Sequence, residues 1–397
     1  MRSPRFVVPL LALAAAGCDA QFKPETLVDG LRVLSVTCDP PEMAPGDTSE
    51  LEIVQTDPSR PGGVTSVFWI GCNPDPIDFN RSPCNDLSIL LQPTKLQGFP
   101  EGVRLLGFGN HTAYNVASNL FDGVAADDPV RFNGTSGPVL AIAVAEEVNL
   151  ATSLDALHDL FARMERQEVA SALALVRVTV SDKTPRNANP PIEQLLIDGQ
   201  AWPPGARLQL HAAQTVSMNA SSPASARETY TLRLPDGDVQ RTETLVGSWY
   251  STAGRFSLPR VNLDSGDVTR FTAPGSLADD PVPDRRTGSV YFVLRDDRGG
   301  QSNVIVPFYV CDTTPDPNVT SVDLPATATD PVVVRGDNMT SVLDILIGGK
   351  PLVGSAYSTV RKTFEGQLPP LDPGTYHVEV HAKNCTNADT GLTVTIP

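Results

Sequence analysis

Short runs in which apolar and polar residues alternate fill most of the chain beyond residue 31, as in Leu51-Glu52-Ile53, Val176-Arg177-Val178-Thr179-Val180 and Tyr376-His377-Val378-Glu379-Val380. A period of two places apolar side chains on one face of a strand and polar ones on the other. Proline, glycine, asparagine and aspartate punctuate these runs, and 36 prolines with 30 glycines suit many short strands joined by turns. The pattern predicts an all-β protein. One segment keeps a different period: Leu154, Leu157, Leu160, Phe161 and Met164 recur at helical spacing, Ser153 can cap them, and Asp155, Asp159, Arg163 and Arg166 occupy the other face. It predicts a single amphipathic helix packed on a sheet, inserted in an otherwise β domain.

Two stretches echo each other in order. The first runs Pro45-Gly46, Leu51 and Ile53, Val67-Phe68-Trp69-Ile70, then Leu175-Val176-Arg177-Val178-Thr179-Val180. The second runs Pro204-Gly205, Leu208 and Leu210, Gly247-Ser248-Trp249-Tyr250, then Val290-Tyr291-Phe292-Val293-Leu294-Arg295. An early strand, a central strand with a tryptophan and a late strand are the order of a β-sandwich, in which a large aromatic fills the space between sheets. Trp69 and Trp249 are therefore expected in cores, and Asp297-Arg298-Gly299-Gly300 is expected to close a hairpin. Proline-rich breaks at residues 183–191 and 312–317 divide the chain into domains over residues 31–186, 187–313 and 314–397.

The N-terminus is of another kind. Arg2 and Arg5 precede an apolar run over residues 6–16, which is too short to span a membrane and has the form of an export signal. Its ending, Leu13-Ala14-Ala15-Ala16-Gly17-Cys18, resembles the lipobox of bacterial lipoproteins. That resemblance implies a signal peptide over 1–17, acylation of Cys18 and a lipidated tether over 18–30. It implies a cell-envelope protein held on a membrane, with the outer membrane expected over the inner. Removing residues 1–17 takes away two arginines and no acid, so the formal net charge moves from −16 to −18. Such a surface repels nucleic acid and anionic lipid, which excludes both as general partners.

Beyond residue 313 the chain resembles an IPT/TIG domain, an immunoglobulin-like module. The matching residues are Pro317-Asn318-Val319-Thr320-Ser321-Val322, Val332-Val333-Val334-Arg335-Gly336-Asp337-Asn338, the run 342–347 with Gly348-Gly349-Lys350, Pro373-Gly374-Thr375-Tyr376, and Gly391-Leu392-Thr393-Val394. Met339 stands where the family has an aromatic. Three such modules in tandem make the chain look like the surface lipoproteins of myxobacteria-like organisms. The expected architecture is a tandem array of immunoglobulin-like β-sandwiches with one inserted helix.

With Cys18 acylated, Cys38, Cys72, Cys84, Cys311 and Cys385 remain, an odd set in an oxidising compartment. Fifteen connectivities leave one of the five unpaired. Cys72 and Cys84 bracket a loop rich in Pro, Asn and Asp and are the first pair expected. Cys311 ends the second module and Cys385 lies in a late turn of the third, so a Cys311–Cys385 bridge would fix the angle between them.

Motifs with a catalytic mechanism are absent: there is no Gly-x-Ser-x-Gly, His-Glu-x-x-His, P-loop or Gly-x-Gly-x-x-Gly. Gly348-Gly349-Lys350 and Arg335-Gly336-Asp337 read as turns, and no cofactor is expected. His377, Glu379 and His381 would share one face of a strand and could offer two nitrogens and an oxygen to a zinc ion, although a solvated face explains the alternation as well. Acidic loops at 264–267, 279–284 and 312–316 could supply calcium oxygens, or be ordinary turns. Phe99, Phe108, Tyr114, Phe121 and Phe132 lie in sequence near Asp122, Asp127 and Asp128 without a defined pairing. The functional expectation is a non-enzymatic envelope protein that binds another protein or a glycan through its β-sandwich loops. The alternative is an accessory or catalytic component of a glycan- or peptide-degrading surface system.

Overall fold

The computed structural model describes residues 24–76, 101–148, 154–275, 277, 280–327 and 330–397. It is an all-β chain of β-sandwich units. The first unit contains β1 (Arg32–Asp39), β2 (Glu42–Met43), β3 (Thr48–Thr56), β4 (Ser66–Cys72), β5 (Val103–Phe108), β6 (His111–Asn115), β7 (Thr135–Val144) and β8 (Ser171–Val180). One sheet has the order β1-β3-β6 and the other β2-β8-β7-β4-β5. Trp69, Tyr114, Leu51, Val139 and Val178 fill the space between them, and the Trp69 indole donates to the Gly109 carbonyl at 2.8 Å.

β4 and β7 are apolar on both faces, for a visible reason. Their second face, with Phe68, Ile70, Leu140 and Ile142, is covered by the predicted helix. A short α1 (Pro129–Asn133) precedes β7, and α2 (Leu154–Glu165) lies between β7 and β8. Leu157, Leu160 and Phe161 of α2 are buried, with Phe161 edge-on to Phe68 at 5.7 Å, and Arg163 pairs with Glu146 at 2.7 Å.

The second unit contains β9 (Gln194–Ile197), β10 (Gln200–Ala201), β11 (Leu208–Leu210), β12 (Thr215–Ser221), β13 (Thr229–Leu234), β14 (Gly237–Thr242), β15 (Val246–Ser251), β16 (Arg255–Phe256), β17 (Arg260–Asn262), β18 (Thr269–Thr272), β19 (Thr287–Arg295) and β20 (Gln301–Val310). Its sheets run β10-β9-β12-β18-β16 and β11-β20-β19-β15-β17, with β13-β14 a separate hairpin. Trp249 is fully buried against Phe292 at 4.5 Å. The turn over residues 296–300 closes the β19–β20 hairpin, as expected.

One sheet of the first unit repeats in the second strand for strand: β2 runs parallel to β8 as β11 does to β20, and the order β8-β7-β4-β5 matches β20-β19-β15-β17. The echo expected from sequence is correct for the tryptophan strands and one strand out on either side. Leu51 and Ile53 lie in β3, whose equivalent is β12; Leu208 and Leu210 lie in β11, whose equivalent is the two-residue β2. Residues 175–180 belong to β8 and 290–295 to β19, which are not equivalents. Alternation and Pro-Gly turns mark strands without saying which strand is meant.

The third unit pairs β21 (Asn318–Asp323), β22 (Val332–Asp337), β26 (Thr363–Gln367) and β25 (Val353–Ser358) in one sheet. β24 (Lys350–Pro351), β23 (Val342–Ile347), β27 (Gly374–Ala382) and β28 (Asn387–Ile396) form the other. Met339, where an aromatic was expected, is buried in this core. Gly336 cannot carry a side chain, because a Cβ there would overlap the Asn318 carbonyl.

Residues 24–30, read as tether, are docked. Thr26 and Val28 are buried, Val28 N donates to Ser251 O at 2.8 Å and Ser251 N to Thr26 O at 2.9 Å. The chain therefore meets the second sandwich before it enters the first.

Candidate functional site

Two hollows stand out among the described residues. The first is an open groove of about 380 Å3 on the second sandwich. The Asp198-Gly199 turn, with φ of 48° and 77°, brings β10 back along β9 and delivers Trp202 beside Leu195. Trp202 N donates to Leu195 O at 2.8 Å, and its indole N–H donates to Ala206 O at 3.2 Å. Pro203 and Pro204 stiffen the next step of chain. The half-buried ring is thus held at both ends, with one wall of the groove built by it and the prolines and the other by Val304, Ile305 and Val306 of β20. Glu193 and Gln194 supply an exposed carboxylate and amide at the rim. An apolar floor, one fixed aromatic face and a few polar groups are what a small-ligand cleft needs.

The second hollow, about 420 Å3, lies where the first two units meet and is lined by Phe132, Lys183, Glu228, Tyr230 and Arg298 among others. Behind it sits a buried ion cluster. Glu42 is 2% exposed and accepts from Ser181 Oγ at 2.6 Å, Asn187 N at 2.8 Å and Arg298 at 2.6 Å, with Lys183 Nζ at 3.5 Å. Arg298 also reaches Glu243 at 3.0 Å and Glu228 at 3.1 Å. Its guanidinium lies 4.6 Å over Tyr230, while Arg233 lies 4.1 Å over Phe132. Burial pushes the Glu243 carboxyl up to about 7 and pulls the Lys183 ammonium down, the latter against the attraction of Glu42. Each charge here is answered by another, so the cluster acts as a weld between units rather than as a receptor for a further ion.

The three residues offered for a metal each meet a different neighbour. His377, Glu379 and His381 do lie on the outer side of β27, but a bulge against β28 falls between His377 and Glu379. His377 turns to Asp389 at 3.4 Å, and His381 lies opposite Asp344, half-buried, with burial lowering its imidazole. Among the described residues no group of three His, Cys, Asp or Glu is placed to hold a metal ion. The acidic loops serve local turns: Asp264 pairs with Arg227, Asp267 accepts from Asn262 N, and Asp312 accepts from Thr314 N and Tyr309 Oη. Asp279 and Phe99 lie outside the described residues. Tyr114 is core, donating to Cys72 O at 2.6 Å, and Phe121 is buried.

Cys311 and Cys385 are joined, Cα to Cα 5.4 Å, as expected. Cys72 is disulfide-bonded and fully buried, while Cys84 and Cys18 lie outside the described residues. Cys38 is the free cysteine among the described residues, its thiol pushed up to about 12 by burial. Sequence reasoning missed Trp202, the third tryptophan. The signal for it was present: it stands before two prolines, outside any alternating run, where a core tryptophan is not expected.

No protein-family model matches the chain, and no curated protein is similar to it. Among solved structures, extracellular domains 3–5 of Drosophila OTK align over 94% of this chain and 98% of theirs, at 12% identity and a TM-score of 0.18. The Bacteroides ovatus SGBP-B of a mixed-linkage glucan utilization locus, in complex with a heptasaccharide, aligns over 93% and 70%, at 11% identity and 0.16. The E. coli chaperone DraB aligns over 51% and 97%, at 13% identity and 0.24. Likeness at this level carries nothing about ligands. Among the described residues no helix is long and apolar enough to cross a membrane.

Proposed function

We propose that this chain is a lipid-anchored envelope protein that binds, without catalysis, a neutral glycan in the Trp202 groove. The observation that carries the reading is the fixed, half-buried indole with its N–H already engaged. A sugar ring has a C–H face that rests on an aromatic face and an edge of hydroxyls that the Glu193 and Gln194 side chains can meet. A groove of about 380 Å3 lies within the ~300–1,000 Å3 range of small-ligand sites. The strongly negative chain disfavours polyanionic polymers, which leaves neutral ones.

Calorimetry of the full chain against neutral oligosaccharides tests this. Trp202→Ala should weaken binding about tenfold or more, a loss of ~1.4 kcal/mol, and Trp202→Phe by less. A glycan held equally by Trp202→Ala, or no neutral glycan held at all, refutes the groove. Turnover of the glycan, abolished by one acid substitution, would favour the polymer-degrading alternative. The anchor is tested separately: Cys18→Ala should lose fatty-acid label in the producing bacterium, and retention of label sinks it.

A further inference from the structure

The last strand of each sandwich leaves an edge, and unpaired edges template further strands unless guarded. In the second unit β11 pairs with β20 only from Phe308 onward. The rest of that edge is guarded: Gln301 N donates to Asn189, Pro307 has no N–H, and Gln301 Nε2 reaches over to Val36 O of the first unit. In the third unit β28 carries Asp389 and a bulge. The first unit differs. β2 pairs with β8 only at Thr179 and Val180, and no described strand pairs with the outer edge of residues 171–177.

That stretch reads Ser171-Ala172-Leu173-Ala174-Leu175-Val176-Arg177, with no proline and no bulge in its pairing to β7. Its one charge is at the far end. Thr179 N and Ser181 N donate outward, to Pro41 and Met43, so by alternation Leu173 and Leu175 also present N–H and C=O to the open edge. Their side chains stand on the outer face, 48% and 39% exposed.

We infer that this edge pairs antiparallel with the same edge of a second copy of this chain, about a two-fold axis through Ala174. The segment is self-complementary in that register. Leu173 of one copy meets Leu175 of the other, both at edge-facing positions, so each pair exchanges two backbone hydrogen bonds. Toward Arg177 the turn at Gly299 approaches the Arg177 carbonyl, so the shared pairing runs over residues 172–176, where no like charges oppose. The four leucines then form one apolar strip on the outer face. The contact is isologous and closes on itself, giving a dimer rather than a fibre.

The test uses the full chain in detergent. Sedimentation should give two chains per particle, and Leu175→Lys should weaken association at least tenfold. Val353→Lys, at an exposed site in the third unit, should leave it unchanged, as should Trp202→Ala. Hydrogen-bonded antiparallel partners lie ~5.5 Å apart at Cα, within disulfide reach. Leu173→Cys/Leu175→Cys should therefore cross-link two copies under mild oxidation, while both single variants cross-link far less. A monomer at all concentrations, cross-links to other proteins only, or single variants that cross-link as well as the double overturns the proposal.

Discussion

The chain has two joints between sandwiches, built in opposite ways. The first is ionic and assembled from distant pieces: Glu42 lies 256 residues from Arg298, and Arg298 sits on the tip of the β19–β20 turn. The β13–β14 hairpin adds a clasp, in which Asn133 Nδ2 donates to Arg233 O at 2.7 Å and Asn133 Oδ1 accepts from Arg233 N at 2.9 Å. The second joint is covalent at its centre. Cys311–Cys385 bridges it, Asp312 N donates to Lys383 O at 2.8 Å, Gln209 donates to Ala382 O at 2.9 Å, and Arg207 lies 3.7 Å from Asp344. A buried ion cluster tolerates no missing member, because each removal strands the others in a dry place. A disulfide joint depends on one bond and on the redox state around it.

Arg298→Ala should expose that contrast most strongly. It leaves Glu243 buried without its cation and Glu42 with Lys183 alone, and unfolding of the first two units in urea should shift by about 3–5 kcal/mol. Removing the bridge, as Cys311→Ser/Cys385→Ser, should lower the stability of the third unit by about 2–4 kcal/mol and leave the other two unchanged, read by limited proteolysis under denaturant. If both transitions move together, the joints are not independent.

The pH response should separate them next. Burial raises Glu243 above its ordinary 4.5 to about 7, so the folded state holds this proton more tightly than the unfolded chain. Its stabilising contribution is complete below about 4.5 and is lost as pH rises through about 7. Asp296, also raised by burial, acts in the same direction. The unfolding midpoint of the first two units should fall between about pH 4.5 and 7, and Glu243→Gln should flatten that slope. An unchanged slope in Glu243→Gln would assign the effect to other groups. Asn133→Ala should be the mildest, about 1 kcal/mol at the clasp, measured in the same urea experiment.

Much of this architecture is legible in the residues. Alternation reports strands, the spacing of Leu157, Leu160 and Phe161 reports α2, and the two core tryptophans mark equivalent strands. Other parts leave no readable trace. β2 is two residues long, too short to show a period, and β14 is exposed throughout and almost wholly polar, so it has no apolar face to read. The partnership of Glu42 with Arg298 is a fact of three dimensions, since neither residue has a local pattern to betray it. Trp202 was readable, but as an exception to a rule about cores rather than as a motif.

Under the N-terminal anchor proposed above, the bridge at the second joint also decides how far the chain can stretch. Tension that enters the third sandwich at Cys311 passes across the sulfurs to Cys385 and bypasses the residues between, a separation of 74 positions. Those positions could otherwise pay out roughly 250 Å of extended chain at about 3.4 Å each. While the bridge is oxidised that length is locked away, and only the final strand can be drawn out; reduction turns the third sandwich into an extensible element.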